Sequence, residues 1–416
     1  MKNLLILPIV ALLFFFSSCS NDDGNSNVRE PQRTVLIYMA GENNLSAFAD
    51  DDLAEIKAGS KSLADNQNLI VYVDQSSKKP YMARVKNGVL TDSVSMNETS
   101  TANPEVMEDV IRQVRSKYPA QSYGMVLWGH SSGWIITNDT IRHSGTRAYG
   151  LEDNYPRQYW MNIPSMARAI ANAMGQEKLA FILGDCCNFN SIEVAYELRN
   201  VAEYIIGSPA EIPDPGAPYQ LIVPDMFSSS EGFYRLIIDH YYNNLLKEIN
   251  AHPGYYHNNN SGDLNGYSVP LSAIKTSALE ELAQATANLL NTIPEKLSPE
   301  GELDFNTVTC YAYTDSHKMG YDMSQTLKMN TSAAAYAAWE MALTKALVYK
   351  VYSQKWLLGA ASLSLSKSMD TFSKEDASAV SMFFPQKAFN STSSKWNTTI
   401  QQYQWNQTIQ WAQYGW

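Results

Sequence analysis

Residues 126–134 read VLWGHSSGW, an apolar run that stops abruptly at glycine and histidine. The stretch contains Gly129-His-Ser-Ser-Gly133, which fits the GxSxG pattern of a serine nucleophile elbow. Two chemistries are therefore open: Ser131 as a nucleophile, or His130 as the base for a nucleophile elsewhere. An elbow needs a helix directly after the serine, because the turn and its oxyanion site are built on that helix's amino end. Here Trp134-Ile-Ile-Thr-Asn-Asp-Thr-Ile141 follows, β-branched and turn-forming, a poor start for a helix. A serine esterase stands as an alternative that labelling of Ser131 by a fluorophosphonate would reveal.

On either side of this run, short apolar strands alternate with helical patterns. Thr34–Met39, Asn68–Val73, Tyr123–Trp128, Leu179–Leu183 and Glu203–Ile206 read as strands. Leu45, Phe48, Leu53 and Ile56 recur at helical spacing after a Gly41-Glu-Asn-Asn loop. Asn103-Pro104 opens a helix to about Tyr118, and 163–174 and 191–201 read as two more. This alternation predicts a mostly parallel sheet covered on both faces, an α/β/α sandwich, with ligands at the carboxyl ends of the strands. Beyond residue 220 the expectation is a mixed α/β carboxyl-terminal extension, with helices over 233–249, 277–290 and 333–352 and strands at 308–313 and 380–384. Trp396, Ile400, Tyr403 and Trp411 fall near one helical face, read as a packed terminal helix in preference to a sugar-binding stripe.

His130 closes one predicted strand, and Gly184-Asp-Cys-Cys187 closes another. A cysteine nucleophile needs a base nearby and backbone donors for the oxyanion, and successive strand ends of one sheet supply both. Asn190, with Glu193 three residues on, reads as a capping box for the following helix, so the cysteine pair precedes a helix amino terminus that favours a thiolate. Asp185 and Cys187 lie two apart and share a face if extended. A carboxylate there works against thiol ionisation, so Asp185 is expected to pair with a basic substrate side chain beside the scissile bond.

These motifs resemble the clostripain-like cysteine peptidases, relatives of caspases, legumains and gingipains. VLIYMAGENNLSAFADDDL, VLWGHSSGW, LGDCCNFNSIEVAYEL and GSPAEIPDPGAPY carry the resemblance over roughly residues 33–219, and GYSVPLSAIKTSALEELA and AVSMFFP continue it more weakly. The resemblance implies a caspase-like fold, His130 as catalytic histidine, Cys187 as nucleophile, and Cys186 in a variable position. Ser131 stands where many relatives have glycine, and the backbone N–H groups of Ser131 and Cys187 are the expected oxyanion donors. Asp185, with Asp214 or otherwise Glu211 from the later loop, would select Arg or Lys. Self-cleavage is expected in the connector NDTIRHSGTRAYGLEDN, after Arg147 first and Arg142 second. No redox cofactor is implied. Some relatives depend on calcium, for which Asp214–Gly216 and Ser261-Gly-Asp-Leu-Asn265 are the candidate loops.

The chain of 416 residues, 45% apolar, is long enough for a large core. It begins with Lys2, an apolar run from Leu4 to Phe16, and Phe16-Ser-Ser-Cys19. The run falls short of the roughly 20 residues that span a bilayer, and its end resembles a lipobox. The expected division is a lipoprotein signal over 1–18, lipidation at Cys19, a flexible tether over 19–32, a catalytic domain over 33–219, and residues 220–416 completing or flanking it. Beyond Cys19, Cys186, Cys187 and Cys310 form a poor disulfide framework. A net charge of −11 argues against nucleic acid and fits cationic substrates. The expected protein is an exported, membrane-tethered, monomeric cysteine endopeptidase cutting after Arg or Lys. Its rival is a surface binding lipoprotein of the same fold without catalysis.

Overall fold

The computed structural model describes residues 32–97, 100–136, 149–152, 159–251, 266–293, 302–314, 317–353, 355–356, 377–392 and 395–411. Cys19, Arg142, Arg147 and the loop 261–265 lie outside them. The amino-terminal elements are β1 (Arg33–Gly41), α1 (Phe48–Gly59), β2 (Gln67–Gln75), β3 (Tyr81–Lys86), β4 (Val89–Ser95), α2 (Pro104–Lys117) and β5 (Tyr123–Gly129). A small hairpin, β6 (Tyr149–Glu152) and β7 (Tyr159–Met161), leads into α3 (Ile163–Met174), β8 (Phe181–Asp185), α4 (Ile192–Glu197), β9 (Tyr204–Gly207), α5 (Tyr219–Met226) and α6 (Phe233–Ala251).

The carboxyl-terminal half contributes β10 (Leu271–Lys275), α7 (Leu279–Leu290), the short β11 (Tyr313–Thr314), β12 (His317–Lys318) and β13 (Tyr321–Asp322), and α8 (Met323–Asn330). It ends with α9 (Ala333–Ala346), β14 (Leu347–Val351), β15 (Ser381–Met382), α10 (Trp396–Thr399) and α11 (Gln404–Ile409). No described helix is long and apolar enough to cross a membrane.

One nine-stranded sheet organises these elements, in the order β14-β10-β9-β8-β5-β1-β2-β3-β4. β9, β8, β5, β1 and β2 run parallel, and antiparallel strands extend the sheet at both ends. Alternate side chains of β1 build two separate cores, as the period of two requires. Leu36, Tyr38 and Ala40 face α2, α3, α4 and the carboxyl-terminal helices, while Val35, Ile37 and Met39 face α1, α5 and α6. The mostly parallel, helix-covered sandwich is the architecture expected from the strand and helix alternation.

Three expectations for the carboxyl-terminal half are corrected. The helix predicted over 333–352 ends at Ala346, because Leu347-Val-Tyr-Lys-Val351 is β-rich and finds a ladder on β10. The strand predicted over 308–313 survives only at Tyr313 and as a single antiparallel bridge of Cys310 with Tyr321, and Thr309 N–H goes to the side-chain Gln325 Oε1 instead of a neighbouring strand. Trp396, Ile400, Tyr403 and Trp411 are all buried, as the packing reading required, but on short helical pieces and not one helix.

Candidate active site

Two ladders fix the site. Parallel pairing of β5 with β8 sets Trp128 opposite Asp185, so the residues two beyond each, His130 and Cys187, leave the sheet from adjacent strand ends. Neighbouring strands are about 4.8 Å apart, which brings both loops within side-chain reach of one substrate. The loops also touch directly. Gly133 has φ +67°, and a Cβ there would lie 2.4 Å from Asn188 O, so glycine alone allows this approach.

Ser131 is buried and its Oγ accepts from Gly133 N–H; no helix follows it in residues 132–136, which removes the basis for a serine elbow. Ser131 bridges to Tyr149 through a donation from Gly150 N–H to His130 O, a pattern that turns the Ser131 N–H away from β6. His130 is partly exposed, and its Nε2 lies 2.7 Å from Asn44 Oδ1. The amide oxygen calls for Nε2–H, which leaves the basic lone pair on Nδ1. Asn43 pins this loop by donating to Ala40 O and Leu151 O and accepting from Leu45 N–H.

Cys187 Sγ accepts from Ile212 N–H at 3.4 Å and faces Ile212 O at 3.9 Å. Its thiol is pushed up to about 12, first by burial and then by the charge of Glu211. The helix-terminus rationale for a thiolate is therefore corrected. α4 starts only at Ile192, its cap is Ser191, whose Oγ accepts from Val194 N–H, and Asn190 instead donates to Ser272. Glu193 accepts from Phe383 N–H and so ties α4 to the carboxyl-terminal half. Cys186 is buried on the opposite face beside Ser131, with its thiol raised well above its ordinary value by burial. Cys186, Cys187 and Cys310 are free thiols.

A cavity of about 110 Å³ opens beside this pair and is lined by both His130 and Cys187. Asp185 and Asp214 line it, as the sequence suggested, but Glu211 does not; Glu211 acts on the thiol instead. Asp185 differs from a bare specificity carboxylate. It is 5% exposed and accepts from Tyr219 Oη, Tyr241 Oη and Ala217 N–H, and burial still raises its pKa. Asp52 of α1 also lines the cavity, and Trp128 Nε1–H donates to it. Sequence reading missed Asp52 and Asn44. The legible signal for Asp52 was an acid four residues from both Phe48 and Ile56, on the apolar stripe of α1.

For calcium, Asp214–Gly216 forms part of the cavity wall. Among the described residues no group of three His, Cys, Asp or Glu side chains is arranged to hold a metal ion.

Adjacent strand ends presenting a thiol, an imidazole and an acidic cavity define a cysteine peptidase of the caspase-like sandwich class. The chain belongs to the clostripain family, peptidase family C11, whose family model it matches over residues 37–416. It is similar to a secreted C11 cysteine protease from Bacteroides thetaiotaomicron solved with an irreversible peptide inhibitor: 30% identity, TM-score 0.74, covering 92% of this chain and 99% of that one. An inactive zymogen C11 protease from Parabacteroides distasonis gives 25% identity, TM-score 0.69 and coverage of 91% and 98%. Clostripain from Hathewaya histolytica is 23% identical over 236 residues, which span 50% of this chain and 43% of clostripain.

Proposed function

We propose that this cysteine peptidase is an exported endopeptidase, anchored through a lipid on Cys19, that cleaves after Arg or Lys with Cys187 as nucleophile and His130 as acid and base. The observation that carries the reading is the acidic cavity opening beside both residues. An acidic cavity attracts a guanidinium or ammonium side chain and thereby sets the scissile carbonyl next to Sγ.

Substrate binding displaces the thiol from Ile212, and the Cys187 proton passes to His130 Nδ1. Sγ attacks the carbonyl carbon, and the oxyanion is held by the backbone N–H groups of Ser131 and Cys187. Collapse breaks the C–N bond as His130 gives its proton to the leaving amine. Water then attacks the acyl-enzyme with His130 as base, breaking the C–S bond and restoring the thiol. These steps call for no redox cofactor.

Self-cleavage after Arg147, or secondarily Arg142, fits the same specificity. The secreted relative and the lipobox-like Phe16-Ser-Ser-Cys19 support export. Fluorogenic peptides ending in Arg, Lys, Asp or Leu test the reading beside Cys187→Ala. Cleavage confined to Arg or Lys and lost in the variant is expected; activity that survives Cys187→Ala would overturn the nucleophile assignment. The half-buried thiol, with its raised pKa, also favours a second reading, a binding lipoprotein without catalysis, which silence on all four peptides in intact and trypsin-nicked protein would support.

A further inference from the structure

The carboxylate of Asp52 is the least explained group in the cavity. It sits on the buried stripe of α1, where Phe48 and Ile56 pack, yet it is an ionisable side chain only 6% exposed. Oδ2 accepts from Trp128 Nε1–H. Among the described residues no donor meets Oδ1, and the side chain lines the cavity with Asp185 and Asp214. The side chain opens on the cavity, so a bound cation there can supply the donor that the protein does not.

Its neighbour Asp185 is in the opposite condition. Three donors already occupy Asp185, two of them the phenols of Tyr219 and Tyr241, which leaves it little capacity for a substrate. On the reading that this cavity receives the basic side chain before the scissile bond, we propose that Asp52 is a specificity-determining residue that binds the guanidinium of an arginine substrate through Oδ1.

Five N–H donors in a rigid plane suit acceptors on more than one wall, here α1 and the loop carrying Asp214. An ammonium has three donors and no plane, so loss of one wall costs it less. The groups facing Asp52 are Asp185, Glu55, Asp214, Tyr219 and Tyr241, together with the Trp128 indole. None of these carries a positive charge. Burial and the charge of Asp185 raise the Asp52 pKa to about 9, so it holds a proton near neutrality. Binding a guanidinium, which stays charged, then expels that proton to solvent.

The test compares Asp52→Asn and Asp52→Glu with the wild-type protein on peptides ending in Arg, Lys and citrulline, the uncharged isostere of Arg. Asp52→Asn keeps an acceptor for Trp128. It is expected to lower kcat/KM on Arg about tenfold or more, mainly through KM, while the citrulline peptide changes little and the Arg to Lys ratio falls. Alkylation of Cys187 by iodoacetamide should be unchanged.

An Arg to Lys ratio within about twofold of wild type in folded Asp52→Asn overturns the assignment. A wild-type enzyme that cleaves after neither Arg nor Lys overturns the basic-cavity reading itself, and Asp52 with it. If neither variant folds, inhibition of the wild-type enzyme by methylguanidinium decides. Its Ki should tighten by up to about fiftyfold between pH 7 and 9 as proton release becomes free, and a flat profile refutes the proposal.

Discussion

Asn44 Oδ1 lies 2.7 Å from His130 Nε2, so a loop after the first strand holds the imidazole that leaves the fifth. If this contact fixes the tautomer, Asn44→Ala should lower kcat about tenfold with little change in KM, and leave thermal unfolding nearly unmoved. Asn44→Asp makes a sharper case. A carboxylate there stabilises the imidazolium, so the acid limb of the pH profile should move to higher pH. An unmoved limb would show that Nε2 and this side chain do not communicate during catalysis.

Glu211 depresses ionisation of the Cys187 thiol, second only to burial. Glu211→Gln removes that charge and should lower the thiol pKa, raising the rate of iodoacetamide alkylation at pH 8 severalfold. The effect should shrink in concentrated salt, because part of it is electrostatic. An alkylation rate equal to wild type at low salt would contradict it.

Gly133 is where the histidine and cysteine loops meet. Gly133→Ala combines strain at φ +67° with a contact of 2.4 Å against Asn188 O, a cost of about 1–3 kcal/mol. The loops should separate, and activity should fall by a larger factor than stability, read by Tm beside kcat/KM. By contrast Cys186→Ala, behind the site, should keep activity and show only the modest stability loss of a small buried side chain.

Several buried acids titrate high: Asp52 to about 9, Glu193 to about 7, and the half-buried Glu55 to about 7, each first because of burial. A folded-state pKa above the unfolded value means that the folded chain holds the proton longer, so stability is greatest below about pH 4.5 for these groups and is lost as pH rises through 7 and 9. The Tm of the Cys187→Ala protein should therefore fall between pH 6 and 9. Asp52→Asn should flatten the upper part of that fall.

The central sheet was legible because its strands are buried on both faces. Thr34–Met39, Asn68–Val73 and Tyr123–Trp128 read as continuous apolar runs and each lies within an observed strand. The edges were not. β3 and β4 passed unnoticed although Asn87-Gly88 marks their turn, since the exposed β4 has no apolar run to announce it. At the site, types of side chain were readable and their states were not. Asp185 was found as an acid, but its phenol partners come from residues 219 and 241, and no local pattern places those rings beside it. The same limit hid the state of Cys187, whose surroundings include a backbone segment twenty-five residues away.

In the ladder between β5 and β8, the strand carrying the histidine and the strand carrying the cysteine are held by main-chain hydrogen bonds in the interior of the sheet. The register pairs of that ladder run from Gly124 with Phe181 to Trp128 with Asp185. A protein severed between Ile136 and Tyr149 would run as two bands when boiled in detergent and as one particle on a sizing column, with histidine on one polypeptide and thiol on the other.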